Sequence, residues 1–362
     1  MNFRAGLIRA LVAARHEVVA VAPPDKYVFV LGELGCRYVP LPMDNGGTRP
    51  VHDLLLLWRF GRLLQQERPD VYLGFTVKPN VYGSLAAHWL GIPVINNVAG
   101  LGAAFGKNGM LVQLVRRLYR LALGRSAKVF FQNDDDKRLL VEGGLVRPEI
   151  ADLLPGSGID LSRFLVVPLP CADDVSQEFR FLMVGRMLWE KGVGEYVEAA
   201  KVLKTRWPAM QCCLLGFLDV DNPGAISSAQ MDLLVQQGVV YLGTSDDVRV
   251  QIAQADCVVL PSYYREGTPR TLLEAAAMGR PIVTTDAVGC REVVDDGVNG
   301  YLCKVRDARD LAYTMERILL MTAAQRTAMG LAGRAKMEKE FDEQLVINKY
   351  LAAIGKAVRE AS

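Results

Sequence analysis

The sequence is poor in histidine and has no long uninterrupted apolar run. Its three histidines, His16, His52 and His88, have spacings that fit no metal-ligand pattern, so we expect no metal site. It contains no run of 18 apolar residues, and its start lacks the apolar core of a signal peptide. The sequence therefore predicts neither a spanning helix nor a secretion signal, and it leaves attachment to a membrane surface open.

The cysteines show no framework for disulfides. They are odd in number, none forms a Cys-x-x-Cys pair, and most lie in apolar, strand-like segments. We therefore expect reduced core side chains in a cytosolic protein. The seven are Cys36, Cys171, Cys212, Cys213, Cys257, Cys290 and Cys303.

Carboxylates are missing from residues 71–133, which contain seven basic side chains. A field of one sign suits an anionic surface or substrate. Within this segment, residues 111–123 have a helical pattern, and we expect the arginines Arg116, Arg117 and Arg120 to face an anionic membrane. The apolar positions Leu111, Leu114, Val115, Leu118 and Leu121 are expected to form the stripe that faces the core.

Helix-like and strand-like segments alternate along the chain, which indicates βαβ units around parallel sheets. The 362 residues are enough for two domains. We expect a first doubly wound α/β domain over 1–165, a second over 166–340, and a last helix, 341–362, that crosses back to the first domain. Two such domains would hold a ligand in a central cleft between the carboxyl ends of their strands.

The stretch Tyr264–Met278 combines a loop with the start of an apolar helix. Pro269 is expected at the first helical position. Glu274 is a lone carboxylate in the helix, and Arg270 is a cation in the first turn, where the helix dipole disfavours it. A ligand over this helix N-terminus could contact both Glu266 and Glu274. Alternatively, Glu274 faces solvent and Glu266 is an ordinary loop charge.

The strand-to-helix junction that opens the second domain is a candidate anion site. Gly185 allows close approach of the backbone, and Arg186 and Lys191 add two positive charges near a helix N-terminus. These features predict a cradle for a diphosphate that needs no metal. Cations beside a turn are, however, also common as solvated side chains.

Together these motifs resemble glycosyltransferase family 4 (GT4), the retaining glycosyltransferases with the GT-B fold. The resemblance covers nearly the whole chain and rests on Gly185-Arg186 with Lys191-Gly192, and on Glu266 and Glu274 within Glu-Gly-x-Pro…Leu-Leu-Glu-Ala. The segments 75–80 (Phe-Thr-Val-Lys-Pro-Asn) and 97–102 (Asn-Val-Ala-Gly-Leu-Gly) are similar to a narrower group. Its members pass sugars, often N-acetylhexosamines, to polyprenyl-diphosphate-linked acceptors in bacterial glycan assembly.

The resemblance implies roles for the donor-side residues. Arg186 and Lys191 would hold the donor diphosphate and stabilise the departing nucleotide, Glu274 would bind the ribose hydroxyls, and Glu266 would face the donor sugar. The loop residues Gly267, Thr268 and Pro269 would approach the sugar and phosphates, as would Gly185, with Arg270 beside the anions. The mechanism it implies is attack on the same face of the sugar that the leaving group departs from, without a protein nucleophile.

On the acceptor side, the first domain offers Lys78, Asn80, Gly100 and Gly102, which follow the ends of two strands. For the two glycines, contact with the donor phosphate is the alternative. Ordinary turn chemistry would explain the same residues. Relatives in the family normally begin with a strand, whereas this pattern begins with a helix near Phe3. Either the sequence starts inside a longer protein, or the first sheet is short of its central strand.

The sequence thus predicts a metal-independent, retaining hexosyltransferase with no cofactor beyond its UDP-sugar donor. Its partners would be a polyprenyl-diphosphate-linked glycan and the anionic inner face of the cell membrane, and not nucleic acid. Two alternatives stay open: a UDP-sugar 2-epimerase of similar fold, and a non-catalytic protein that binds sugar nucleotides.

Overall fold

A computed structural model describes residues 4–25, 27–43, 50–101, 110–170 and 179–361. The predicted site residue Gly102 lies outside these ranges. The chain forms two units, one comprising Met1–Gly158 with Glu343–Ser362, and the other Ile159–Asp342.

The first unit alternates strands with helices, as the pattern predicts. Its described strands are β1 (Val19–Ala22), β2 (Arg37–Pro40), β3 (Tyr72–Phe75), β4 (Val94–Val98), β5 (Lys128–Phe131) and β6 (Ala151–Leu153). Its described α-helices are α1 (Ala5–Ala13), α2 (Val28–Glu33), α3 (Pro50–Glu67), α4 (Ser84–Trp89), α5 (Met110–Leu123) and α6 (Asp134–Glu142). A π-helical turn, Pro79–Gly83, precedes α4.

These strands form two parallel sheets, β1-β2 and β3-β4-β5-β6. Successive residues of β4 point to opposite faces: Val94 packs in a cluster with α3 and α4, whereas Ile95 packs with α1 and the C-terminal helix. Helices thus cover both faces of the four-stranded sheet, which confirms the doubly wound class. Among the described residues, β1 pairs with β2 alone and β3 with β4 alone, and the expectation of a missing strand stays a prediction.

The second unit contains one six-stranded sheet, and every described strand pair in it is parallel, in the order β12-β11-β10-β7-β8-β9. Its strands are β7 (Arg180–Val184), β8 (Gln211–Leu215), β9 (Val240–Tyr241), β10 (Cys257–Leu260), β11 (Ile282–Thr285) and β12 (Gly300–Cys303). Its described α-helices are α7 (Val193–Lys204), α8 (Ser228–Gln236), α9 (Arg249–Ala253), α10 (Arg270–Ala277), α11 (Ala308–Leu319) and α12 (Ala323–Lys336). Strands β10 and β11 are buried throughout, because helices cover both faces of the sheet.

The last helix, α13 (Glu343–Ala361), belongs to the first unit. Its Tyr350 is fully buried, and its hydroxyl accepts a hydrogen bond from Asn97 Nδ2 at 2.8 Å. The ring of Tyr350 lies 5.0 Å from that of Phe130. Aromatic packing and a satisfied hydroxyl hold this helix against the four-stranded sheet.

The chain passes from the first unit to the second between residues 158 and 159, before the predicted boundary at 165/166. Ile159 and Phe164 are already buried in the core of the second unit. Arg334 donates to the carbonyl of Phe164 at 2.7 Å, and the fully buried Arg280 donates to the carbonyl of Val167 at 2.9 Å. Apolar contacts and arginine hydrogen bonds thus fix the residues on both sides of the predicted boundary on the second unit.

Helix α5 confirms part of the predicted core-facing stripe, since Val115 and Leu118 pack against the buried cluster around Val129. The apolar residues Leu114 and Leu121, expected in the core, are more than half exposed, whereas Tyr119 and Leu123 are buried. The inner stripe is carried by the residues near Tyr119 because these positions contact the cluster around Val129. The outer face of α5 therefore combines apolar side chains with the arginines.

The six described cysteines are free and buried, as expected for core side chains; Cys171 lies outside the described residues. Within the described ranges, no helix is long and apolar enough to cross a bilayer.

Candidate active site

Two loops of the second unit carry the predicted donor-side residues. One follows β7 and contains residues 185–192, and the other joins β10 to α10. The carbonyl of Glu190 accepts hydrogen bonds from the backbone N–H groups of Tyr263, at 3.0 Å, and Tyr264, at 3.2 Å. Strands β7 and β10 are parallel neighbours, so both loops leave the same edge of the sheet. These bonds connect the two loops directly.

The backbone packs so closely at two glycines of this region that no side chain would fit at either position. Gly192 has φ +82°, and a Cβ placed on it would lie 2.1 Å from the carbonyl oxygen of Pro261. Gly289 has φ +90°, and a Cβ there would lie 1.8 Å from the carbonyl oxygen of Gly267. Both residues combine a left-handed backbone with a close approach, so glycine is required at each. The segment around residue 289 therefore packs directly against the loop that joins β10 to α10.

The structure pairs two of the predicted catalytic residues with each other. Lys191 Nζ lies 2.6 Å from both carboxylate oxygens of Glu266. The two side chains are only 13% and 11% exposed. Ser262 also donates to Glu266, at 2.8 Å from hydroxyl to Oε1. Such charge-assisted hydrogen bonds in a poorly solvated place fix the carboxylate in one position.

Glu274 and Arg270 form a second pair on α10. Arg270 Nε donates to Glu274 Oε1 at 2.9 Å, and Glu274 is only 7% exposed, so the alternative that it faces solvent is wrong. Burial raises the pKa of the Glu274 carboxyl, and Arg270 partly opposes that rise. Pro269 is the N-cap rather than the first helical residue, which is Arg270. The carboxylate one turn later offsets the unfavourable position of this cation.

Arg186 and Gly185 stand at the open end of the first loop. The Arg186 side chain is exposed and makes no ion pair with the residues that the structure describes. A Cβ on Gly185 would meet no atom within 4 Å. Helix α7 begins at Val193 without a side-chain cap on its first N–H groups. An unpaired cation, open space and uncapped helix N–H groups together suit an anion such as a phosphate.

The turn that enters α10 carries the remaining predicted donor-side residues. Gly267 and Pro269 are buried and Thr268 is half-buried. Sequence reasoning missed Ser262, whose hydroxyl orients Glu266, and also Arg163 and Asp247, whose charges act on Glu274. The only signal for Ser262 is a small polar residue at the end of an apolar strand, which is too common to identify it.

The predicted acceptor-side residues lie in the first unit, and their surroundings differ from one residue to the next. Lys78 Nζ lies 3.1 Å from Asp53 Oδ1, and the two side chains are 13% and 11% exposed. Gly100 follows β4 with φ +127°. Asn80 is only 3% exposed, and its amide donates to the carbonyl of Asn97 at 2.7 Å.

Asn80 also accepts a hydrogen bond from Asn96 Nδ2 at 3.1 Å. Its side chain therefore links the π-helical turn to β4, and its burial leaves little of it exposed to an acceptor. The predicted membrane-facing residues, Arg116, Arg117 and Arg120, are all exposed on α5.

Two family models match the chain. One, described as "Glycosyl transferases group 1", matches residues 178–320, and the other, described as "Glycosyl transferase 4-like domain", matches residues 3–156. Together they include both loops of the second unit and the strands β1 to β6 of the first.

The chain is similar along its length to a curated protein of Campylobacter jejuni, N,N'-diacetylbacillosaminyl-diphospho-undecaprenol alpha-1,3-N-acetylgalactosaminyltransferase. The two are 29% identical over 372 aligned positions, which cover 99% of this chain and 96% of that protein. A second relative, UDP-Gal:alpha-D-GlcNAc-diphosphoundecaprenol alpha-1,3-galactosyltransferase of Escherichia coli, is 24% identical over 74% of this chain and 71% of its own length.

Solved structures share the fold at low identity. A glycosyltransferase from Rickettsia africae superposes with a TM-score of 0.78 at 16% identity, covering 98% of this chain and 94% of its own. Anabaena HepE in complex with UDP gives 0.77 at 19% identity, covering 97% and 95%.

The close approach of Gly289 to the second loop has a measurable consequence. Gly289→Ala should lower the free energy of unfolding by about 1–2 kcal/mol from backbone strain, with about 1–3 kcal/mol more from the collision with Gly267. The matched control is Gly243→Ala, because Gly243 has a similar φ of +76° and nothing within 4 Å of its added Cβ. Equal losses in urea unfolding of the two variants would show that Gly289 does not support the loop.

Proposed function

The chain belongs to the group 1 glycosyltransferases and has the GT-B fold, and from this premise we propose a donor, an acceptor and a stereochemical outcome for it. The donor is a UDP-sugar, with an N-acetylhexosamine as the sugar. The acceptor is a polyprenyl-diphosphate-linked glycan of bacterial surface polysaccharide or lipopolysaccharide assembly. Transfer retains the anomeric configuration, needs no metal and takes place at the inner face of the cell membrane.

The observation that carries this proposal is the pairing of Lys191 with Glu266 beside the unpaired Arg186. Lys191 has three N–H donors, and Glu266 takes two, so one is left for a phosphate oxygen. Arg186 adds a second cation at the uncapped start of α7. This arrangement suits a diphosphate that gains charge as it leaves.

The acceptor is proposed from the relatives. Both named relatives transfer a hexose or N-acetylhexosamine to an undecaprenyl-diphosphate-linked sugar, and the Campylobacter protein aligns over 99% of this chain. Lys78 and Gly100 stay the proposed acceptor-side residues of the first unit. Asn80 would contribute by holding the turn that carries Lys78.

The proposed reaction proceeds on one face of the donor sugar. The bond between the anomeric carbon and the phosphate oxygen breaks, and the acceptor oxygen bonds to that carbon from the same side. The departing phosphate oxygen takes the acceptor's proton, so no protein nucleophile is needed. Glu266 contacts the donor sugar, Arg186 and Lys191 stabilise the departing UDP, and Glu274 accepts hydrogen bonds from the ribose.

Attachment to the membrane is proposed through α5. Arg116, Arg117 and Arg120 are exposed there, flanked by the exposed Leu114 and Leu121. A helix face with both cations and apolar side chains binds an anionic bilayer, because the cations attract the lipid head groups and the leucines enter the interface.

Release of UDP tests the reaction directly. Wild-type protein in EDTA is given a panel of UDP-sugars, with and without a short polyprenyl-diphosphate-sugar acceptor. We expect one donor to release UDP only when the acceptor is present. Arg186→Ala should lower kcat by about 10²- to 10³-fold, since it removes one group that stabilises the leaving diphosphate.

Arg309→Ala is the control, because Arg309 is exposed on α11. Release of free sugar with inversion at C2 would support the epimerase instead. Binding of UDP-sugar without acceptor-dependent release would support a non-catalytic protein. Full activity of Arg186→Ala would contradict the assignment of the cation.

The α5 proposal is tested with vesicles that contain phosphatidylglycerol. Reversing Arg116, Arg117 and Arg120 to Glu should weaken binding by at least about 100-fold, because each cation contributes about 1 kcal/mol near such a surface. The matched control reverses Arg9, Lys356 and Arg359, which are exposed on α1 and α13. Equal loss in both triple variants would show a general effect of net charge and not a role of α5.

A further inference from the structure

Helix α3 presents a row of exposed apolar side chains, which we name the α3 stripe. Its members are Val51, 75% exposed, Leu54, 67%, Leu55, 41%, and Trp58, 56%. The spacing of three and four residues places them next to one another on the outer side of the helix. Contiguous exposed apolar side chains of this kind mark a surface that binds another molecule.

A cavity of about 390 Å³, which we name the α3 cavity, adjoins this row. Its lining includes Pro24, which follows β1, Met43, which follows β2, and Lys78, which follows β3. The cavity therefore lies at the carboxyl ends of parallel strands, where α/β sheets bind ligands. Leu55 belongs both to the cavity lining and to the α3 stripe, so the two surfaces are continuous.

The lining of the α3 cavity is cationic. Arg59 is held by a hydrogen bond from Nη1 to the carbonyl of Pro42, at 2.9 Å, and Lys78 by its ion pair with Asp53. Each cation keeps further donors, because a guanidinium has five N–H groups and an ammonium three. His52 also lines the cavity. Asp53 is the carboxylate that faces Lys78, and it is buried.

We propose that the α3 cavity and the α3 stripe together bind an isoprenoid diphosphate, the lipid end of the acceptor. The diphosphate binds Arg59 and Lys78, and the isoprenoid chain lies over Leu55, Leu54 and Trp58. This inference rests on the proposed function and adds the residues that hold the lipid part of its substrate.

Two features favour this ligand over a bilayer alone. A cavity of this volume is of the size that binds small molecules, whereas a bilayer surface has no use for a concave cationic site. The second feature is Trp58, whose ring centre lies 5.1 Å from the guanidinium of Arg62 and whose side chain is 56% exposed. An exposed aromatic ring on the helix that carries the cation Arg59 matches a molecule with an apolar chain next to a diphosphate.

Titration calorimetry with farnesyl diphosphate, a water-soluble isoprenoid diphosphate, tests the proposal on the full chain. Wild-type protein should bind it at least tenfold more tightly than it binds inorganic pyrophosphate or farnesol. Trp58→Ser should reduce farnesyl diphosphate to the affinity of pyrophosphate and leave pyrophosphate unchanged. Arg59→Met should weaken both diphosphates and leave farnesol unchanged.

Trp89→Ser is the matched control, because Trp89 is 87% exposed on α4 and lies outside both surfaces. Equal effects of Trp58→Ser and Trp89→Ser would overturn the proposal. So would a loss of vesicle binding in Trp58→Ser with unchanged farnesyl diphosphate affinity, since the α3 stripe would then contact bulk lipid. Trp58 is exposed, so this arm does not depend on a variant that could unfold.

Turnover separates this inference from the proposed function. If acceptor-dependent UDP release occurs and Trp58→Ser raises the KM for the acceptor with kcat unchanged, both stand. If release occurs and the KM is unchanged, the α3 assignment is wrong and the function stands. If wild-type protein binds farnesyl diphosphate as expected but releases no UDP with any donor, the lipid site stands and the transferase proposal fails.

Discussion

The ion pair between Lys191 and Glu266 is the interaction on which the proposed donor site depends. It joins a loop that follows β7 to a loop that follows β10, across 75 positions of sequence. The pair can form because β7 and β10 are adjacent parallel strands and because Gly192 lets the loops touch. With both charges poorly solvated, each residue fixes the other, and the site exists before any ligand arrives.

Near this pair, hydrogen bonds also hold other predicted site residues of the second unit in place. Arg270 and Glu274 form a nearly buried pair one helical turn apart, and Ser262 holds Glu266 from the strand side. Arg186 has no such partner among the described residues. A site with its carboxylates fixed and one cation unpaired is prepared to bind an anionic donor at small reorganisation cost.

The sequence predicts the elements well where one periodic signal is strong. Strands such as β7 are apolar runs that are buried almost throughout, because helices cover both faces of the sheet. Which side chains contact each other is harder to predict from the sequence. The contact between Lys191 and Glu266 depends on strand order, and the burial of Asn80 depends on a π-helical turn that no local pattern specifies. Helix α5 shows a related limit, since Leu114 fits an apolar stripe by spacing and yet faces outward.

The central claim, that this set of paired residues binds the donor nucleotide, is tested most directly by calorimetric titration of UDP into wild-type protein and Glu274→Gln. The account predicts that the variant binds UDP about 10- to 100-fold more weakly, because a charged hydrogen-bond acceptor for the ribose is lost. Glu198→Gln, an exposed change on α7, should leave the affinity unchanged. Equal affinity of folded Glu274→Gln and wild-type protein would contradict the account.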